Sequence, residues 1–157
     1  MLGHRVAIDE NVLLDSGGPG NYRLKIGDDV IISRGCVLQA KIGDITIGDE
    51  CNFGCYNVIT SASGIQIGKN VLTAAHCCIG GAQYRFENLD IPIMHQGILA
   101  QPPLIIEDNV WLGAGSMVLN GVRIGKGSII GAGAVVTSDL PDYVIATGIP
   151  AKISRFR

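Results

Sequence analysis

At 157 residues the chain is long enough to bury one real core, and nothing in its composition argues for a second unit, so residues 1–157 are read as a single domain. Apolar residues make up 47% and aromatics only 5%, which leaves Ile, Val, Leu, Ala and Cys to fill the interior; 22 glycines without a collagen period disfavour a helical bundle and point to short strands with frequent turns. A net charge of −2 offers no basic field for nucleic acid, and neither a signal-type apolar segment nor a membrane span of ~18 apolar residues exists, so a soluble cytoplasmic protein is expected.

Along the chain, large apolar residues recur every six positions. The repeat starts raggedly at Ile8 and Leu14, then settles into Ile26, Ile32, Leu38, followed by Ile47, Phe53, Ile59 and by Ile67, Thr73, Ile79. The leading anchors Ile26, Ile47 and Ile67 lie 21 and 20 residues apart. Three hexads need eighteen, so bulges at the corners near LQAKIGD and TSASGIQ must absorb the surplus. From Ile106 the period runs unbroken through Leu112, Val118, Ile124, Ile130 and Val136, with Val110, Ser116, Val122, Ser128 and Ala134 as small inward residues in the fifth position. Six-residue rungs with one large and one small inward side chain build the flat faces of a triangular prism, three rungs to a coil.

Cys36, Cys51 and Cys77 fall on that fifth position and are expected to be small buried hydrophobes. Cys55 and Cys78 point elsewhere, and no CxxC pair suggests zinc or redox chemistry. Between Ile79 and Ile106 the period breaks in a stretch with Pro92, Pro102, Pro103 and the densest cluster of Tyr, Arg, Phe, Glu and Asp. A loop protruding at roughly 80–104 is the expected reading, and long loops on rigid scaffolds are where function concentrates. The tail leaves the repeat at Pro141 and is expected to form a cap ending in the cations Lys152, Arg155 and Arg157.

The segments NVWLGAGSMVLNGVRIG, SIIGAGAVVTSDLP and GIPAKI, with the IPI…QG stretch of the loop, closely resemble the hexapeptide acetyltransferases of the maltose, galactoside and capsular-sugar type. The resemblance covers nearly all of residues 24–157. It implies an all-β, left-handed parallel β-helix of about five to six coils, acetyl-CoA as co-substrate, a sugar-type acceptor, and a homotrimer with active sites between neighbouring prisms. On the same grounds Trp111 would flank the acyl and pantetheine region, and the backbone at Ala114 and Ala132 would bond the pantetheine amides. Thr137 would follow along that groove, and Lys152 and Arg155 would face the nucleotide phosphates.

Acyl transfer needs a base for the acceptor proton, and the family places a loop His there; at the matching position this chain has Tyr84. A free phenol, with a pKa of ~10, is a poor substitute at neutral pH. Of the three histidines, His4 lies in the N-terminal segment and His95 in the distal loop. His76 follows the inward Thr73 by three residues, so it should point outward near the loop's base. It is the candidate substitute base, with a surface or inter-subunit polar contact as its other reading. Asn52, Tyr56 and Asn57 are read as outward polar groups suited to sugar hydroxyls. The alternative function is a non-catalytic trimeric scaffold that binds CoA or sugar, favoured by Tyr84 alone. A carbonic anhydrase on the same fold would need three converging histidines, and the spacing of these three does not suit a metal, so none is expected. No motif encodes the acceptor or chooses between O- and N-transfer.

Overall fold

The computed structural model describes residues 1–16 and 20–157. Short strands alternate inward apolar with outward side chains, and corners rather than helices link them. Three parallel sheets result. The first face stacks Ala7–Ile8, Ile31–Ile32, Asn52–Phe53, Leu72–Thr73, Trp111–Leu112, Ile129–Ile130 and Val144–Thr147. The second stacks Leu13–Asp15, Val37–Ala40, Val58–Ser61, Cys78–Gly80, Met117–Val118 and Val135–Val136. The third stacks Leu24–Ile26, Ile45–Ile47, Ile65–Ile67, Leu104–Ile106 and Arg123–Ile124. The chain is thus a left-handed parallel β-helix of about six turns, as the resemblance implied.

The hexad anchors are the core. Ile32, Leu38, Phe53, Ile59, Leu112, Ile124 and Ile130 are all fully buried, and so are the fifth-position residues Val110, Ser116, Ser128 and Ala134. Each large aliphatic side chain so buried contributes ~1.5–3 kcal/mol. Cys36, Cys51 and Cys77 lie inside as expected, and burial pushes their thiols up, that of Cys51 to about 11.

Surplus residues collect at one corner. The second-to-third-face turn takes the extra residues at 41–44 and 62–64, and from the same corner of the fourth coil the long loop emerges between Cys78–Gly80 and Leu104–Ile106. The loop is ordered by its own bonds. At its base the Arg85 amide donates to the Gly97 carbonyl at 2.9 Å and the Leu99 amide to the Gln83 carbonyl at 2.7 Å. Farther out, the Gln96 side chain donates to the Asn88 and Ile91 carbonyls, both at 2.7 Å, beside a 3₁₀ turn at Ile93–His95.

One boundary differs from expectation. The repeat does not end at Pro141: Leu140 bridges to Ile124, and Val144–Thr147 continues the first face with Val144 and Ala146 fully buried. Pro141 sits at a corner, where no ladder bond is asked of it, and its carbonyl accepts from Ser128 Oγ at 3.0 Å. The cap comes later, as Lys152–Phe156 turns back antiparallel along Val144–Thr147 and covers the open edge. Among the described residues no helix is long and apolar enough to cross a membrane.

Candidate active site

The corner between the first and second faces repeats one backbone conformation in every coil. Asn11, Gly35, Tyr56, His76, Gly115 and Gly133 each take a positive φ there. Amides ladder the turns together: His76 N–H donates to the Cys55 carbonyl at 3.0 Å, Gly115 N–H to the Ala75 carbonyl at 3.0 Å, and Gly133 N–H to the Ala114 carbonyl at 2.8 Å. These bonds leave the N–H groups of Ala114 and Ala132 without a partner among the described residues, and both alanines are exposed. A ridge of free donors therefore runs up this edge in line with the exposed imidazole of His76.

The ridge continues to the cap. Gly131 N–H donates to the Ala146 carbonyl at 2.9 Å and Val135 N–H to the Gly148 carbonyl at 3.0 Å, so the turn after Thr147 is the next step of the column. Lys152 pairs with Thr147 and Arg155 with Ile145, and both basic side chains are exposed. From the His76 coil to the Lys152 strand is four inter-strand steps, about 19 Å at the usual spacing. Trp111, about half exposed, stands outward on the first face between Leu72 and Ile129. The edge thus gathers His76, Ala114, Ala132 and Lys152, with Trp111 beside them.

Other expected residues lie elsewhere. Thr137 follows Val135–Val136 and sits across the width of the second face, at a different corner from Ala114 and Ala132. Asn52 is exposed on the first face between Ile31 and Leu72. Tyr84 pairs with Ile98 at the base of the loop; the Cys78–Gly80 strand separates its corner from that of His76 by roughly 13 Å. His4 and His95 are exposed, the first on the first coil and the second in the outer part of the loop.

Asn57 is a correction. It is fully buried, not outward, because it occupies the fifth, inward position of its hexad. Its amide group is satisfied inside the prism: Nδ2 donates to Thr73 Oγ1 at 2.5 Å and Oδ1 accepts from the Cys77 amide at 2.7 Å. It cannot touch an acceptor. Tyr56, the preceding residue, is half exposed, and its ring stacks on that of His76 with centroids 5.3 Å apart and planes at 11°.

The sequence also passed over a position for Arg157. Its guanidinium donates to the Gly127 carbonyl at 3.0 Å and lines a shallow groove with Trp111, Leu72 and Ile129. No sequence signal announces that a terminal residue folds back thirty positions. Among the described residues no group of three His, Cys, Asp or Glu is placed to hold a metal.

Comparison with known proteins fits this architecture. The family described as bacterial transferase hexapeptide (six repeats) matches residues 103–138, and the hexapeptide repeat of succinyl-transferase matches residues 44–79. A probable acetyltransferase of Mycobacterium tuberculosis is 38% identical over 139 residues, which are 88% of this chain and 46% of that protein. A galactoside O-acetyltransferase of Lactococcus lactis is 35% identical over 130 residues, 79% of this chain and 61% of that one. The chain spans about half the length of the curated relatives it matches. Among solved structures, AntD, an N-acyltransferase from Bacillus cereus in complex with dTDP and 3-hydroxybutyryl-CoA, aligns with a TM-score of 0.84 at 25% identity, covering 99% of this chain and 81% of that one. By its repeat, its fold and these relatives, the chain belongs to the hexapeptide-repeat acetyltransferase family.

Proposed function

We propose that the chain moves an acetyl group from acetyl-CoA to a hydroxyl or amine of a sugar or sugar-containing acceptor, and that it does so along the edge between the first and second faces. One observation carries this: an exposed histidine, His76, stands in the turn whose Ala75 stacks beneath Ala114 and Ala132, the two residues with unpartnered amides. The amides suit the carbonyl groups of a pantetheine arm, Trp111 an apolar flank, and Lys152 and Arg155 the phosphates at the far end. AntD bound to 3-hydroxybutyryl-CoA with dTDP, and a serine-to-alanine mutant of it bound to CoA with dTDP-4-amino-4,6-dideoxyglucose, support both the donor and a sugar-nucleotide acceptor.

In the reaction His76 accepts the acceptor's proton as the oxygen or nitrogen attacks the thioester carbonyl. The C–S bond then breaks, the acetyl group stays on the acceptor, and the leaving CoA thiolate recovers the proton from the imidazolium. Histidine is suited to this exchange near neutral pH. This assignment gives the proton to a residue that is present on the donor edge and leaves Tyr84 without a required role, which favours the catalytic reading over a binding scaffold.

The active form in this reading is a homotrimer. Outward residues on the second face form an apolar column of Leu13, Val37, Val58, Cys78, Met117 and Val135, whereas the third face presents the mainly polar column Lys25, Thr46, Gln66, Ile105 and Arg123. Apolar faces suit packing against neighbouring prisms, and a neighbour's loop would then lie over the edge that holds His76. Residues 1–157 act as one domain, and five free cysteines suit the reducing cytoplasm. Acetyl-CoA turnover with a panel of sugars and amino-sugar nucleotides tests the assignment: product must appear with at least one of them, and CoA binding without any turnover across the panel would favour the scaffold.

A further inference from the structure

Two bulky residues occupy positions where the corner elsewhere uses glycine or asparagine. Tyr56 has φ 59° and His76 φ 61°, against Asn11, Gly35, Gly115 and Gly133 in the equivalent turns. Left-handed backbone costs roughly 1–2 kcal/mol for an ordinary L residue, so something must recover it. Their rings do so in part, stacked at 5.3 Å and 11°.

The stack has a direction. Tyr56 leans toward the N-terminal coil, over Gly35: a Cβ built there would lie 2.4 Å from the Tyr56 ring. On the opposite side a Cβ at Gly115 would meet nothing within 4 Å, so the space beyond His76 toward Ala114 is open. The imidazole therefore has one face backed by a phenol ring and the other toward the donor edge. Beneath it, Asn57 Oδ1 holds the amide of Cys77 at 2.7 Å, and Thr73 Oγ1 accepts from Asn57 Nδ2. The turn that carries His76 is clamped from inside the prism by Asn57 and its ring is held from outside by Tyr56.

We propose that Tyr56 is a positioning residue for His76, fixing the plane of the imidazole for proton transfer, rather than a contact for the acceptor. The proposal rests on the catalytic role assigned to His76. What Tyr56 supplies is the face of an aromatic ring; its hydroxyl is dispensable. A purely structural alternative exists within the same molecule, since Tyr143 covers Gly127 at another corner with no histidine on it.

The test uses the full chain with Tyr56→Phe and Tyr56→Gly. Glycine fits the backbone because three other coils already carry it there, so the second variant should fold. Two readouts apply: kcat against KM for acetyl-CoA and acceptor, and the NMR positions of the His76 ring protons, which a stacked phenol displaces by its ring current. Tyr56→Phe is expected to preserve both. Tyr56→Gly is expected to lower kcat about tenfold, with both KM values within twofold, and to abolish the ring-current displacement. A rise in acceptor KM with kcat unchanged, or a Phe variant as impaired as Gly, would overturn the proposal. So would an active parent whose kcat is indifferent to Tyr56→Gly although the His76 resonances move. A parent with no turnover on any acceptor overturns the catalytic reading itself, and is distinguished from these outcomes by the parent assay alone.

Discussion

The side-chain amide of Asn57 donates to the hydroxyl of Thr73 at 2.5 Å in the middle of a mainly aliphatic prism. Neither group has water to fall back on, and each is the other's neighbour only because consecutive coils stack. Removing the hydroxyl strands a buried amide. Thr73→Val should therefore destabilise the fold by about 1–3 kcal/mol despite its closely similar size, whereas Thr73→Ser, which keeps the hydroxyl, should lose only about 0.8 kcal/mol. Denaturant unfolding of the two variants measures the difference; equal losses would mean the bond contributes nothing.

A methyl group at Gly115 separates backbone cost from groove blockage. Its φ of 67° makes alanine costly by about 1–2 kcal/mol, but the added Cβ meets no protein atom. Gly115→Ala should stay folded and raise KM for acetyl-CoA several-fold, because the methyl stands beside the free amide of Ala114. Unchanged donor KM in a folded variant would place the donor elsewhere.

The thiols divide by depth. Desolvation raises the pKa of Cys36, Cys51 and Cys77, with Cys51 at about 11, while Cys55 and Cys78 are only partly buried. At pH 8 a thiol-specific reagent should label Cys55 first and reach Cys36, Cys51 and Cys77 only on unfolding, while Cys78, on the column assigned to trimer packing, should react once the trimer dissociates. Peptide mapping after brief labelling reads the order, and early modification of Cys51 would contradict it.

Acid should loosen the corners of the prism. Asp29 is held below the usual carboxylate range chiefly by its hydrogen bond from Arg5, Asp44 by the Arg23 amide, and Asp49 by its hydrogen bond from Lys69. A carboxyl with a depressed folded pKa binds its proton more readily in the unfolded chain. Its contribution is complete above the ordinary carboxylate range and is lost as pH falls through the folded value. Tm should therefore be level near neutrality and fall below about pH 4, with a shallower fall in Asp29→Asn. All three groups are exposed, so the effect is modest and weakens with salt.

The period-six spacing made the prism legible because every anchor from Ile26 to Val136 obeys one rule of burial. The same rule places Asn57 inside, since it shares the fifth position with Cys36, Cys51 and Cys77; its polarity pointed outward, and the partners that make burial tolerable, Thr73 Oγ1 and the Cys77 amide, come from the next coil. Pro141 looked like a terminator, yet a proline between rungs costs no ladder bond, and the alternation of Val144 and Ala146 carries the first face onward. The edge joining His76 to Ala114 and Ala132 was the least readable feature. The turn of His76 stacks beneath those of Ala114 and Ala132 across the long loop at 81–103, which hides that the three turns form one column. Thr137 shows the converse: near Ala132 in sequence, it lies a full face away.

The central claim is that His76 takes the acceptor's proton on the donor edge, and His76→Asn tests it most directly. Asparagine already occupies this turn at Asn11 with φ 58°, so the backbone should accept it, and its amide cannot serve as a base. With an acceptor that the parent acetylates, the account predicts a loss of kcat of about 100-fold or more, with acetyl-CoA affinity and oligomeric state unchanged. A His76→Asn protein that turns over like the parent, with activity lost instead in Tyr84→Phe, would contradict it and return the proton to the loop.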